Sequence, residues 1–279
     1  YESHFEEKFC PPVLSRPDDV ANHFLRSGDL RSRIFRCLED RRVLSGTHAL
    51  RYIEWAEKSP EAKVRVLKGK ERGKLVRVSS LATARAKTNW YEISTAQPSR
   101  LLLPNLVKNR HLIPLSEVPL YAYHNFFYLY CDDPTDLWLY LNSAIFRVFM
   151  ELNGRIEAPA LQIMGYEYAQ CPCIHPMPPL SKLFSSLSHF RNRAARRIVI
   201  IKEPGEVEFD QKDRRELDEI VLWQLGFKDA RERQLVLNEI YEWLKSNVEA
   251  RVRKPLTAPK SVSRAVGRPR READLRDFQ

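Results

Sequence analysis

Cations set beside aromatic rings are the most chemically suggestive pattern in this chain. Arg85-Ala86-Lys87-Thr88-Asn89-Trp90-Tyr91 places two cations just ahead of two aromatic side chains. Lys108-Asn109-Arg110-His111 is a second compact group, and Lys68, Lys70, Arg72 and Lys74 crowd one short Gly-containing turn. Cations of this kind offset phosphate charge, while Arg, Asn and His can reach base edges. Trp90 and Tyr91 offer stacking faces, although at least one of them is expected to anchor a core. The competing reading of the same residues is a solvated basic surface.

Other chemistries find less to work with. A cofactor cradle of the form G-x-G-x-x-G or G-x-x-x-x-G-K-[ST] does not occur, nor does a G-x-S-x-G elbow or H-E-x-x-H. Cys171, Cys173 and His175 form a C-x-C-x-H group, but no second ligand pair stands at finger spacing, so buried structural cysteines are the simpler expectation. Asp18 or Asp19 with Glu61 could hold Mg²⁺, with Lys63 orienting an attacking water, as a nuclease would require. The carboxylates between Asp213 and Glu219 alternate with Lys212, Arg214 and Arg215, which reads as a solvated helix start.

The charge is unevenly spread. The 279 residues carry 46 Lys+Arg against 36 Asp+Glu. From Lys58 to Arg110 there are 13 cations against 3 acids; from Glu203 to Glu249, 7 against 13; from Arg251 to Gln279, 9 against 3. An acidic block thus lies between two basic ones, a distribution suited to a polyanionic partner. Val266-Gly267-Arg268-Pro269-Arg270 in the last block resembles the core of a minor-groove hook. With 43% hydrophobic residues the chain can bury a core, and no apolar run approaches the ~18–20 residues of a membrane span. Five cysteines, an odd number, favour a reducing compartment, and the expected location is cytoplasmic. The chain opens on Tyr1 rather than Met, which reads as a fragment.

The elements that must position these groups form an α+β order. Residues 1–40 are expected to be mostly helical, opened at Pro17-Asp18-Asp19 with Val20, Phe24 and Leu25 on the apolar face. Short strands follow: Val64–Leu67 and Leu75–Val78 as a hairpin, then Leu101–Leu103, Leu112-Ile113 and Phe126–Tyr130. One helix is predicted over 134–152, capped by Asp133 and ended at Asn153-Gly154; Asn142 and Asn153 are expected to serve local backbone. Arg197–Ile201 reads as a strand, and two helices close the globule, one stopping at Gly226 and one opening with the Asp229/Glu232 capping box. Residues beyond Pro255 lose apolar periodicity and read as a flexible tail.

The order of several segments resembles a known family. Arg51-Tyr52-Ile53-Glu54-Trp55, Asn89-Trp90-Tyr91-Glu92-Ile93 and Leu103-Pro104-Asn105-Leu106-Val107-Lys108-Asn109-Arg110-His111 succeed one another. Phe126–Leu129, Leu141-Asn142-Ser143-Ala144-Ile145-Phe146, Asn153-Gly154-Arg155, Gln162–Glu167 and Arg214–Val221 complete the series, which closes on Leu225-Gly226-Phe227 and Glu239-Ile240-Tyr241. Together they are similar to the C-terminal specificity region of large adenine-specific (N6) DNA methyltransferases of restriction–modification and phage-defence type. The family's catalytic N-P-P-Y/F and its S-adenosylmethionine-binding Gly-rich turn do not occur here, and Met177-Pro178-Pro179-Leu180 lacks the Asn or Asp that would hold adenine.

The resemblance implies a mixed, β-rich target-recognition domain at 41–201, preceded by a helical linker at 1–40 to a catalytic domain. A helical extension at 202–254 and a basic tail at 255–279 would follow. Its partners would be double-stranded DNA and an N6-adenine methyltransferase catalytic domain that binds S-adenosylmethionine. This chain would itself hold no catalytic residue, cofactor or metal. DNA contacts are then expected from Lys68, Lys70, Arg72, Lys74, Arg85, Lys87, Trp90, Tyr91, Lys108, Arg110 and Arg155. A stand-alone DNA- or RNA-binding regulator and, third, a Mg²⁺-dependent nuclease remain as alternatives.

Overall fold

Prolines decide the first forty residues. A computed structural model of the chain describes residues 4–67, 69, 71–92, 96–157, 159–174, 178–200 and 205–253. Lys68, Lys70, His175, Ile201 and the tail at 255–279 lie outside the described residues. The helix expected in 1–40 does not form. Pro11 and Pro12 lack the N–H that a helix interior requires, and only single 3₁₀ turns stand at Glu7–Phe9, Pro17–Asp19 and Ser27–Asp29. Asp19 and Asp29 each accept from the backbone N–H three residues upstream, at 2.9 Å, closing a turn instead of opening a helix. Between these turns run β1 (Val13–Leu14) and β2 (Phe24–Leu25), both parallel to residues 115–122. The apolar residues that looked helical therefore line a sheet.

α1 (His48–Lys58) is capped by Thr47, and the Glu6 carboxylate accepts from His48 N at 2.7 Å. It buries Ala49 and Ile53 with Phe9, Cys37, Leu44 and Tyr91 in a small cluster. β3 (Lys63–Arg65) and β4 (Leu75–Arg77) form the expected hairpin, its turn carrying Gly69 and Gly73 at φ +84° and +91°. α2 (Ala82–Arg85) is a single turn.

β5 (Ser99–Pro104), β6 (Leu106–Val107), β7 (Leu115–Ala122) and β8 (Phe126–Leu129) follow. The main sheet runs β1-β7-β5-β8, with β2 also on β7. β5 is central: Leu101 and Leu103 enter the main core while Leu102 faces a second cluster with Leu14, Val20 and Leu25. A run of three leucines is what a strand buried on both faces requires. Leu112-Ile113, expected as a strand, is none, because the Ile113 backbone is taken up by Asn142.

Asn142 also breaks the predicted 134–152 helix. α3 (Pro134–Leu141) and α4 (Ala144–Asn153) replace it. The Asn142 amide donates to Ile113 O and Trp138 O and accepts from Ile113 N, as its assigned backbone role anticipated. Ser143 caps α4, and Asp218 accepts from Ala144 N at 2.7 Å. Gly154 follows α4 in extended backbone, and the position admits only glycine because a Cβ there would meet Leu161 Cγ and Met150 O at 2.8 Å. β9 (Arg155–Glu157) and β10 (Ala160–Gln162) extend β6 into a small sheet, order β6-β10-β9.

α5 (Gly165–Tyr168), α6 (Leu180–Leu183) and α7 (Leu187–Asn192) are short. Arg197–Ile201 is not a strand in its described part: Arg197 makes isolated bridges to Arg110 and Val207. α8 (Lys212–Gln224) and α9 (Ala230–Val252) form as predicted, separated by Gly226 at φ +107°, and pack Leu217, Val221, Leu237, Tyr241 and Leu244 into the core of β5, α3 and α4. The fold is mixed α+β with C-terminal helices. None of the described helices is long and apolar enough to cross a membrane.

Candidate nucleic-acid interface

Asn109 builds the site. Its side chain accepts from Val199 N at 2.9 Å and donates to Val199 O at 2.7 Å, and its carbonyl accepts from Ile198 N. This two-way clasp fastens residues 195–200 alongside Lys108–Arg110. The Pro17–Asp19 turn stands opposite, and together they enclose a cleft of about 760 Å³. Arg16, Lys108, Arg110, Arg196 and Arg197 line it, with Leu106, Val107 and Leu112 supplying apolar wall. Two carboxylates interrupt the positive field. Asp18 lies 3.4 Å from Lys108 Nζ and 3.6 Å from Arg110 Nη2, and Glu206 lies 3.1 Å from Arg196.

The cleft rests on buried ions. Arg147, fully buried, donates to Lys108 O at 3.3 Å and to Glu151 at 2.7 Å; Arg251 donates to the same carboxylate at 2.6 Å. Burial pushes the Glu151 carboxyl up, but these two guanidinium groups outweigh it and hold it below its ordinary value. His111 Nδ1 lies 3.2 Å from Arg214 Nη2. A guanidinium only donates, so Nδ1 accepts and the ring is neutral, in keeping with burial and the Arg214 charge lowering its pKa well below the ordinary value.

Glu208 is the hub of this layer. It accepts from Arg193 Nη2 at 2.8 Å, Arg193 Nη1 at 3.0 Å and Arg196 N at 2.6 Å. Burial would raise this carboxyl, but the Arg193 and Arg214 guanidinium groups keep it well below the carboxylate range. His23, stacked on Phe190 at 4.1 Å, is lowered by its own burial, which Glu208 only partly offsets. Asp218 accepts from Arg214 Nε and the Tyr241 hydroxyl. The expectation of a solvated helix start at Asp213–Glu219 is therefore corrected: Asp213, Arg214 and Asp218 are buried and ion-paired.

The predicted contact residues are dispersed. Lys108 and Arg110 are in the cleft. Arg72 and Lys74 are exposed beside the hairpin turn, Lys74 lying 3.6 Å from Glu71. Arg85 is exposed and donates to Ser80 O, and Lys87 to Glu92 O. Trp90 is half-buried and donates to Glu57 at 2.9 Å, whereas Tyr91 is 4% exposed and donates to Glu39 O at 3.1 Å. Tyr91 is thus the core anchor of the pair, and its ring offers no free face for stacking. Arg155 pairs with Glu167 at 2.9 Å; the register Arg155–Gln162–Leu106 sets it two strands, about 10 Å, from the strand leading to Lys108.

Sequence reasoning missed Arg16, Arg196 and Arg197. The dense run Arg191-Asn192-Arg193-Ala194-Ala195-Arg196-Arg197 held the signal for the last two; Arg16 had none. Cys171 is buried and Cys173 exposed. Among the described residues no three His, Cys, Asp or Glu side chains converge as metal ligands, so Asp18, Asp19 and Glu61 are not assembled as a nuclease centre.

No protein-family profile matches the chain, and no curated protein matches its sequence. Among solved structures it is similar to the type IIG restriction endonuclease BpuSI, with a TM-score of 0.56 and 12% identity. The likeness covers 88% of this chain and 27% of that one, so the chain spans about a quarter of the enzyme it matches.

Proposed function

We propose that this chain is the DNA target-recognition region of an N6-adenine DNA methyltransferase of restriction–modification type. The observation that carries the reading is the cleft in which Asn109 holds Lys108 and Arg110 against Arg196 and Arg197, with Arg16 opposite. Five cations lining one cleft suit the phosphates of a duplex. The likeness in fold to part of a restriction enzyme, and the ordered motifs around Asn105–His111 and Leu141–Phe146, support the same reading.

In this function the chain's own work is positional. Lys108 and Arg197 set the duplex against the cleft, and Arg110 is braced for it by its bond to Val20 O at 3.1 Å. A separate catalytic domain would bind S-adenosylmethionine and methylate an extruded adenine.

The test is a fluorescence-anisotropy titration of the chain with mixed-sequence duplex DNA at several salt concentrations. Wild type should bind more weakly as salt rises. Lys108→Ala and Arg197→Ala should each lower the salt slope by about 0.9 for the phosphate contact removed. Folded variants that bind as wild type does would exclude the cleft as the interface.

A further inference from the structure

The β3–β4 hairpin is held by little that is apolar. Among the described residues it pairs with no other strand, and isolated two-stranded ribbons are marginal in water. Direct partners in the ribbon are Lys63 with Arg77, Val64 with Val76 and Arg65 with Leu75. Because side chains alternate, Lys63, Arg65, Arg77 and Leu75 share one face, and every one of them is exposed. Leu75 is 60% exposed and the adjoining Leu67 76%.

Two features of that face are costly in the free protein. Lys63 and Arg77 are like charges placed directly across the ladder, an arrangement that destabilises a sheet. Among the described residues neither they nor Arg65 has a carboxylate within 4.0 Å, so no ion pair within the chain offsets that repulsion. An anionic partner relieves the charge, and apolar contact with it covers the exposed Leu75.

Resting on the reading above, we infer that this ribbon enters the major groove of duplex DNA and reads base edges there. That groove, about 12 Å wide, admits a two-stranded ribbon. Arg65 and Arg77 lie on the same face and present planar forks to guanine O6 and N7, and Leu75, opposite Arg65, meets thymine methyl groups. Lys63 takes a flanking phosphate. The cleft thus fixes position and the ribbon supplies sequence information.

The experiment is selection of bound duplexes from a pool with a randomised central segment, using the whole chain as wild type, Arg65→Ala, Arg77→Ala and Lys108→Ala. Wild type should enrich a shared site. Arg65→Ala and Arg77→Ala, with unchanged thermal transitions, should still bind the unselected pool while losing about 5- to 150-fold discrimination at one base pair each. Lys108→Ala should weaken binding to all sequences and enrich the same site. Ribbon variants that enrich the wild-type site with undiminished discrimination would overturn the inference and leave the proposed function standing. So would wild-type binding that enriches nothing, or equal competition by duplex RNA, whose deep, narrow major groove excludes side chains. A wild-type chain that binds no duplex at all would overturn the proposed function itself.

Discussion

Removing Glu208 is the sharpest test of what holds the cleft together. The carboxylate is fully buried and accepts three hydrogen bonds, two from Arg193 and one from the Arg196 backbone, with Arg214 Nη1 at 3.8 Å. In Glu208→Ala, Arg193 keeps its bond to Asp213 at 2.6 Å and one to Ala194 O, while its Nη2 and the Arg196 N–H are stranded. Breaking a buried pair from one side costs about 3–5 kcal/mol, because the remaining charge stays desolvated. Glu208→Gln keeps the shape but only one acceptor oxygen, and should cost roughly 1.5–3 kcal/mol, the worth of a hydrogen bond to a charged group. For a domain of this size the Ala variant should melt about 6–20 °C lower. The readout is urea denaturation at neutral pH followed by tryptophan fluorescence. Trp138 reports directly, since it is fully buried against Phe190, which stacks on His23 beside Glu208. A loss below about 1 kcal/mol for Glu208→Ala would refute the argument, since that is the scale of an exposed pair.

Two further outcomes follow from the same charges. His23 and His111 are held neutral by burial, so the unfolded chain takes up protons below about pH 6.5 that the folded chain refuses. Stability should fall as pH drops through that point, by up to ~1.4 kcal/mol per unit for each ring. The depressed Glu208 carboxyl adds its loss only below about pH 4.3. Urea curves from about pH 8 to about pH 5 that superimpose would contradict this. Asp18 is exposed and occupies Lys108 and Arg110 in the free chain. Asp18→Asn should therefore tighten non-specific duplex binding about 1.5- to 5-fold, the range set by exposed ion pairs; weaker binding would show that Asp18 helps to hold the cations in place.

Where a signal lies within one turn or one ladder of the residue it governs, the amino-acid sequence already determined the outcome. Asp229 caps α9 and Gly226 ends α8 because each satisfies its own helix terminus. The 63–77 hairpin follows from two valine-rich runs around a turn that needs Gly69 and Gly73, and three successive leucines place β5 between two cores. The basic groups around Arg72 and Lys108 were legible as charge.

Tertiary contacts decided the rest. Val20, Phe24 and Leu25 suit a helix face or a sheet edge equally, and pairing of β2 with β7 settles it over 90 residues of separation. The apolar spacing of 134–152 runs unbroken through Asn142, and the break there is fixed from a distance by Ile113, which takes up the Asn142 amide, and by Asp218, which accepts from Ala144 N. An Arg214/Asp218 pair at i,i+4 looks the same in water or in a core. Its burial is set by Tyr241, 23 residues on, and by His111, 103 residues away. The cleft is likewise a product of distance: Arg16, Lys108 and Arg197 meet because Asn109 clasps Val199 and β1 and β2 lie along β7, contacts whose partners no local pattern encodes.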